Sequence, residues 1–228
     1  MLNIDRILVV AAHPDDEILG CGGTLARLHA SGARLHILLL GEGPTSRTGS
    51  IENDDLRLAA RNSALEAAEI IGCKDVRLAG LPDNRFDTVP LLDLIRIVES
   101  AAEEIQPDLV FTHHSGDLNI DHRLTHQATL TAFRPLPGRK PATLLSFEVL
   151  SSTEYSVSDP ASAFHPSVYV DISGYLQLKQ KALIAYTTEM RPWPHPRSPE
   201  GVEHLARLRG CQCGVEAAEA FVLIRSVF

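Results

Sequence analysis

Four side chains suited to acid–base or metal chemistry fall within five consecutive positions near the start of the sequence. They are His13, Asp15, Asp16 and Glu17, in the segment Ala11–Thr24 with the sequence AAHPDDEILGCGGT. The run just before them, Ile7–Val10, is wholly apolar and predicts a buried strand. Three carboxylates at the end of an apolar strand are costly to bury unless a cation lies among them. We therefore interpret this segment as a metal site.

A second group of histidines and acids follows a later apolar run. The segment Thr112–His126 reads THHSGDLNIDHRLTH and comes directly after Leu109–Phe111. The carboxyl ends of parallel strands lie at one edge of a sheet, where α/β proteins bind ligands, so we expect the two groups to meet. His13, Asp16 and a histidine of the second group could then hold zinc, with one position left for water. Zinc lowers the pKa of such a water, and Asp15 is placed to act as the base.

The rest of the sequence alternates short apolar runs with longer helical ones. The predicted strands are Arg6–Ala12, Leu35–Leu40, Val76–Leu78, Leu109–Phe111, Leu144–Leu150, Val168–Ile172 and Ala217–Ile224. The predicted helices are one that begins at Pro14 and those over Asp54–Ile71, Thr88–Ile105, Arg123–Phe133, Tyr175–Tyr186 and Pro199–Arg209. This order predicts an α/β fold with a mostly parallel sheet flanked by helices.

Glycines in two places carry further expectations. Gly20, Gly22 and Gly23 weaken the first helix, so we expect them to permit close packing against a strand or close approach of a substrate. Gly41–Ile51 is rich in glycine, serine and threonine and follows a predicted strand. We predict a loop there that could order over a substrate.

Composition narrows the classes of function. The chain has 228 residues, a net charge of −8 and a pI near 5.7. Nucleic-acid binding needs clustered lysine and arginine, so this balance argues against it. No apolar run approaches the roughly 18 residues that span a bilayer, and the start of the sequence does not resemble a signal peptide. We expect reduced cysteines and a single cytoplasmic domain over residues 1–228.

The motifs resemble those of a known enzyme family. AHPDDE with GCGGT after it is similar to the opening motif of the LmbE/PIG-L-like N-acetylglucosaminyl deacetylases, and NIDH followed by THQA resembles their second motif. The tail from His195 to Phe221 resembles C-terminal sequence of bacterial members. The resemblance implies a Rossmann-like (LmbE-like) fold and one zinc ion. It also implies cytoplasmic removal of an acetyl group from an N-acetylated amino-sugar conjugate, and it allows a homo-oligomer.

The same resemblance implies a role for individual residues. The zinc ligands would be His13, Asp16 and His122, the general base Asp15, and the acid that steadies a neighbouring group Asp121. Family members often carry a histidine three residues before the last ligand, where this chain has Asn119. Asparagine can donate a hydrogen bond to an oxyanion but cannot supply a proton. Either Asp15 makes both proton transfers, or a nearby histidine (His113, His114 or His126) replaces the missing one.

Several polar or aromatic residues are candidates to bind the substrate. They are Arg61, Asp83, Arg85, His114 and Trp193, with Arg191 and Arg197 as further candidates to hold an anionic group. Arg61 resembles a family arginine that contacts the sugar or its anionic substituent. Trp193, the only tryptophan, could stack on a sugar ring or pack against protein.

Other readings of the sequence remain open. A non-catalytic metal or sugar-binding module would also need ligands, although it would not need the base Asp15. A deacylase of a non-sugar amide would need the same residues as the sugar deacetylase. A dinucleotide site is disfavoured, because Gly20–Gly23 comes after the helix begins and lacks the GxGxxG spacing.

Overall fold

One sheet with helices on both faces makes up most of the structure. The computed structural model describes residues 4–43, 53–157, 159–160 and 162–227. The strands are β1 (Arg6–Ala11), β2 (Arg34–Gly41), β3 (Asp75–Leu81), β4 (Leu109–His113), β5 (Thr143–Phe147), β6 (Val168–Asp171) and β7 (Ala218–Arg225). The helices are α1 (Asp16–Ala30), α2 (Asn53–Ile70), α3 (Leu91–Ile105), α4 (Ile120–Ala132), α5 (Leu176–Ile184) and α6 (Pro199–Cys213). The predicted loop Gly41–Ile51 lies outside the described residues from position 44 onward.

The sheet has the order β3-β2-β1-β4-β5-β7-β6. Strands β1 to β5 pair in parallel with their neighbours, whereas β7 is antiparallel to both β5 and β6. The predicted α/β fold with a mostly parallel sheet is therefore confirmed. Across the described ranges, no helix is both long enough and apolar enough to cross a bilayer.

The central strand β1 is apolar throughout because both of its faces are covered. Ile7 and Val9 pack in the core layer that includes residues of α1, α2 and α5. Leu8 and Val10 pack in the opposite layer with residues of α3 and α4. Burial on both faces explains why the sequence shows an unbroken apolar run rather than an alternating one.

Helix α1 lies so close to the sheet that two of its glycines have no room for a side chain. A Cβ at Gly20 would lie 2.3 Å from a ring carbon of Phe147, and one at Gly23 would lie 2.8 Å from Ile172. For Gly20 and Gly23 the close-packing alternative is confirmed, whereas a Cβ at Gly22 would meet Ile18 of the same helix. This contact with β5 fixes the first turn of α1 at the carboxyl edge of the sheet.

Candidate active site

Two neighbouring strands bring the two predicted groups to the same edge of the sheet. β1 and β4 are parallel, with Val9 opposite Phe111. The backbone N–H of Ala12, just after β1, donates a hydrogen bond of 2.8 Å to Nε2 of His113, the last residue of β4. The chain therefore leaves both strands side by side, as the sequence pattern predicts.

Helix α4 carries the end of the second group. It begins at Ile120, three residues before the predicted Arg123, so the predicted start was wrong. The Asn119 side chain caps the helix by accepting a hydrogen bond of 2.8 Å from the N–H of Asp121. Asp121 and His122 consequently lie in the first helical turn, and both are buried.

His13, Asp16 and His122 converge at this edge and offer one atom each within 4.8 Å of one another. Oδ2 of Asp16 lies 3.3 Å from His13 Nδ1 and 3.3 Å from His122 Nε2. Among the described residues, Oδ1 of Asp16 and Nε2 of His122 are buried without a hydrogen-bond partner. Such atoms are rare in folded proteins, and two imidazoles with a carboxylate form a donor set that zinc prefers. The three residues therefore fit a metal ion.

A carboxylate fixes each of the two histidines at its other ring nitrogen. His122 Nδ1 lies 3.1 Å from Asp117, and His13 Nε2 lies 3.0 Å from Asp121. Burial alone would lower the pKa of both imidazoles. The neighbouring carboxylates outweigh burial and raise the pKa to about 10 for His13 and about 9 for His122. Partners of this kind set the tautomer and ring orientation of metal-binding histidines.

Asp117, which is not among the predicted site residues, is itself held by several hydrogen bonds. Its oxygens accept hydrogen bonds from the hydroxyl of Thr153 at 2.6 Å, the backbone N–H of Asn119 at 2.9 Å and the hydroxyl of Ser152. Burial alone would raise the pKa of Asp117, but His122 and these hydrogen bonds hold it well below its usual range. The sequence feature that could have indicated this role is the position of Asp117 in the same segment as His122.

Asp15 lies next to the ligand group in a strained backbone conformation. Its φ of 114° favours glycine, and such conformations cost other residues about 1–3 kcal/mol. Its carboxylate is buried and accepts a hydrogen bond of 2.6 Å from Nη1 of Arg197. Burial raises the pKa of Asp15 well above its usual range, and the Arg197 guanidinium opposes that rise. The pairing is not predictable from the sequence, because 182 positions separate the two residues.

The Glu17 carboxylate holds the backbone of Asp15 through a hydrogen bond. Its Oε2 accepts a hydrogen bond of 3.1 Å from the N–H of Asp15, and its Oε1 accepts one from the Tyr186 hydroxyl. Burial raises the pKa of Glu17 to about 7, against the opposing effect of the Tyr186 hydrogen bond. Glu17 thus connects the strained backbone of Asp15 to Tyr186, which follows the C-terminal end of α5. Glu17 is not one of the proposed metal ligands.

The histidines proposed as substitutes at the Asn119 position all have backbone partners. His113 accepts the Ala12 N–H at Nε2, and burial lowers the pKa of its ring well below the usual range. Nδ1 of His126 donates to the carbonyl of His113 at 2.8 Å. Nε2 of His114 donates to the carbonyl of Ser162 at 2.8 Å. Each of these contacts engages one ring nitrogen and fixes the orientation of that imidazole.

Among the residues that the structure describes, one hydrogen of the Asn119 amide has no acceptor. Its Oδ1 caps α4, and Nδ2 donates one hydrogen bond of 3.0 Å to Oδ1 of Asn84. An amide nitrogen carries two hydrogens. The second remains for another acceptor.

The candidate substrate-binding residues have varied surroundings. Asp83 is buried, with Oδ1 3.4 Å from Nε2 of His13. Arg61 and Arg85 are exposed. Trp193 is 57% exposed and meets the ring of His204 edge to face. The structure therefore brings Asp83 to the site and leaves the two arginines and the tryptophan at the surface.

Comparisons with known proteins match both parts of this site. The PIG-L family model, described as GlcNAc-PI de-N-acetylase, matches residues 8–133. The uncharacterized deacetylase YaiS of Escherichia coli (strain K12) is 33% identical over 150 residues, 62% of this chain and 77% of that protein. A probable N-acetyl-α-D-glucosaminyl L-malate deacetylase 2 of Bacillus anthracis is 25% identical over 194 residues, 83% of each chain.

A solved structure of an enzyme with a different activity has a similar fold. The 4-carboxy-2-hydroxymuconate hydratase GalB of Pseudomonas putida KT2440 has a TM-score of 0.78 at 22% identity, covering 99% of this chain and 98% of that one. Likeness at that identity shows the fold alone, since one fold hosts several chemistries. The family match is more specific, because it spans more than half of the chain and includes His13, Asp16 and His122. On this evidence from sequence and site together, the chain belongs to the PIG-L (LmbE-like) family.

Proposed function

We propose that this protein is a zinc-dependent hydrolase that removes the acetyl group from the amide nitrogen of an N-acetylated amino-sugar conjugate. The observation that carries the proposal is the buried carboxylate of Asp15 beside His13, Asp16 and His122. A module that only binds metal needs no such base. The family match and the deacetylase relatives support the reaction, and the Bacillus relative supports an N-acetylglucosamine conjugate.

The chain's own residues divide the chemistry between them. Zinc bound by His13, Asp16 and His122 would supply a Lewis acid that acidifies water and polarises a carbonyl. Asp15 accepts a proton from the attacking water as its oxygen adds to the acetyl carbon. The Asp15 carboxyl then donates that proton to the amide nitrogen as the C–N bond breaks, which yields acetate and the free amine.

Two further groups assist the reaction, one at Asp15 and one at the oxyanion. Arg197 donates to its carboxylate at 2.6 Å and so holds it in place while it remains charged. The remaining N–H of the Asn119 amide is suited to stabilise the oxyanion that forms on the acetyl oxygen. In this assignment Asn119 donates a hydrogen bond but transfers no proton.

Acetate release tests the proposal directly. We expect purified protein to contain zinc and to release acetate from glycosides of N-acetylglucosamine. A chelator should abolish the release and added zinc should restore it. The panel should include N-acetyl amino acids and a hydratase assay with 4-carboxy-2-hydroxymuconate.

Three outcomes would contradict the proposal. Zinc binding without acetate release from any compound would favour a binding module. Release from N-acetyl amino acids alone would favour a deacylase of non-sugar amides. Hydration of the muconate, without deacetylation, would show that the shared fold carries the chemistry of GalB.

Arg197→Met is expected to move the acid limb of the kcat/KM profile to higher pH. Asp15 acts as a base only when ionised, and Arg197 opposes the rise in its pKa that burial causes. Without the guanidinium the pKa of Asp15 rises further, so activity is lost earlier as the pH falls. The measurement is kcat/KM against pH, with Arg96→Met, an exposed arginine 3.6 Å from Asp93, as the control. An acid limb at the wild-type position would refute the role given to Arg197.

A further inference from the structure

A polar cavity of about 210 Å³ adjoins the candidate site. Asn119, Ser151 and Ser152 line one side, and residues of the segment 189–197 line the other. The cavity contacts the site through three of these residues. Arg197 binds Asp15, Ser152 binds Asp117, and Asn119 caps α4. A molecule whose amide lay at Asp15 would therefore place an adjacent group in this cavity.

The lining selects for a hydrophilic group. All of the lining side chains are polar, since they comprise asparagine, serine, glutamate, arginine and histidine. Nδ1 of His195 accepts the backbone N–H of Arg197 at 3.1 Å, which fixes the orientation of this ring beside the cavity. Such a lining offers hydrogen-bond donors to oxygen atoms and little apolar surface.

Most of the charged groups around the cavity already have hydrogen-bond or ionic partners. The Arg197 guanidinium lies between the carboxylates of Asp15 and Glu189, at 2.6 Å and 3.5 Å. The Glu154 carboxylate accepts the backbone N–H groups of Ser151 and Ser152 at 2.6 Å and 3.2 Å. These charged groups therefore have partners within the protein itself.

Arg191 is held differently. Its Nη1 donates to the carbonyls of Thr188 and Met190 at 2.5 Å and 3.2 Å, and within the described ranges no carboxylate pairs with it. The two carbonyls hold the guanidinium of this exposed side chain, and the backbone N–H of Arg191 donates to the carbonyl of Arg197 at 3.3 Å. Nε and Nη2 thus remain as a preorganised pair of donors, which suits a carboxylate or a phosphate.

We propose that this cavity binds an anionic substituent of the sugar conjugate, a carboxylate or phosphate group, and that Arg191 recognises its charge. The proposal rests on the proposed deacetylase function, and it narrows the substrate class from any N-acetylated sugar to an anionic one.

Matched substrates and a matched control test the role of Arg191. The substrates are the methyl, malyl and 1-phosphate derivatives of α-N-acetylglucosamine, which are neutral, carboxylated and phosphorylated. Arg191→Met should lower kcat/KM by about 10- to 100-fold for the better anionic substrate, as expected for a lost charged hydrogen bond. The neutral glycoside should change less than about twofold, and added salt should weaken the anionic preference of the wild type. Arg96→Met removes the same charge far from the cavity and should leave all three rates unchanged.

A binding measurement separates this proposal from the deacetylase proposal. Calorimetry on the metal-free protein with L-malate and with inorganic phosphate should show binding in the wild type and in Arg96→Met, and loss in Arg191→Met. If anions bind in this way while no glycoside is deacetylated, the catalytic proposal fails and the anion site stands. If neither anion binds, or if Arg191→Met affects neutral and anionic substrates equally, the anion site is overturned whatever the activity. The stronger of the malyl and phosphate responses identifies the anion.

Discussion

Asp15→Asn is expected to lower kcat by about 10²- to 10⁴-fold, the usual contribution of a general base. Asparagine keeps the size of the side chain but cannot take a proton from water or return one to the amine. The effect should be at the upper end of that range, because Asp15 is assigned both proton transfers. KM should change much less than kcat, since Asp15 is not expected to bind the sugar.

The metal content separates loss of the base from loss of the site. Asp16 and the two histidines keep their own contacts in Asp15→Asn, so zinc measured by elemental analysis should stay at the wild-type level. Asp87→Asn changes an exposed acid and serves as the matched control. Turnover close to wild type, or an inactive variant that has also lost zinc, would remove the support for Asp15 as the base.

His122→Ala is expected to abolish both bound zinc and activity. The substitution removes one of the three proposed ligands, the imidazole whose Nε2 lies 3.3 Å from Oδ2 of Asp16. Loss of a hydrogen-bonding partner behind a metal ligand weakens binding by about 10- to 100-fold, and loss of the ligand itself should exceed that. Asp117→Asn, which weakens the support of His122 at Nδ1, should fall within the smaller range.

His126→Ala provides the control for this series. His126 lies on the same helix and is more than half covered, but its contact is with the carbonyl of His113. Zinc titrations of the three variants should therefore rank His126→Ala near the wild type, Asp117→Asn below it and His122→Ala last. A His122→Ala variant that keeps stoichiometric zinc would disprove the ligand set.

The sheet and the meeting of the two polar groups could be predicted because their signals are local. The run Ile7–Val10 is apolar because β1 is covered on both faces, and that pattern is visible within one segment. The parallel order of the early strands then brings β1 and β4 to the same edge. The motif residues His13 and His122 follow from this placement together with the family resemblance.

The supporting contacts could not be predicted in the same way. Arg197 meets Asp15, and Tyr186 meets Glu17, across 182 and 169 positions. No periodic pattern links residues so far apart, and an arginine in a proline-rich segment reads as a surface residue. The start of α4 was misplaced for a different reason: Asn119 was considered for its chemistry, whereas in the fold its oxygen also caps the helix.

At residue 15 the residue type that would favour thermostability differs from the one that turnover needs, because the backbone there is left-handed. Glycine adopts a φ of 114° without strain, and Arg197 would keep the carboxylate of Glu189, at 3.5 Å, as an ionic partner. Selection for heat tolerance alone would therefore favour glycine at residue 15, whereas the proposed hydrolysis needs an acid there. Any engineered gain in melting temperature at this position would come with loss of the base, so stabilising substitutions belong elsewhere in the chain.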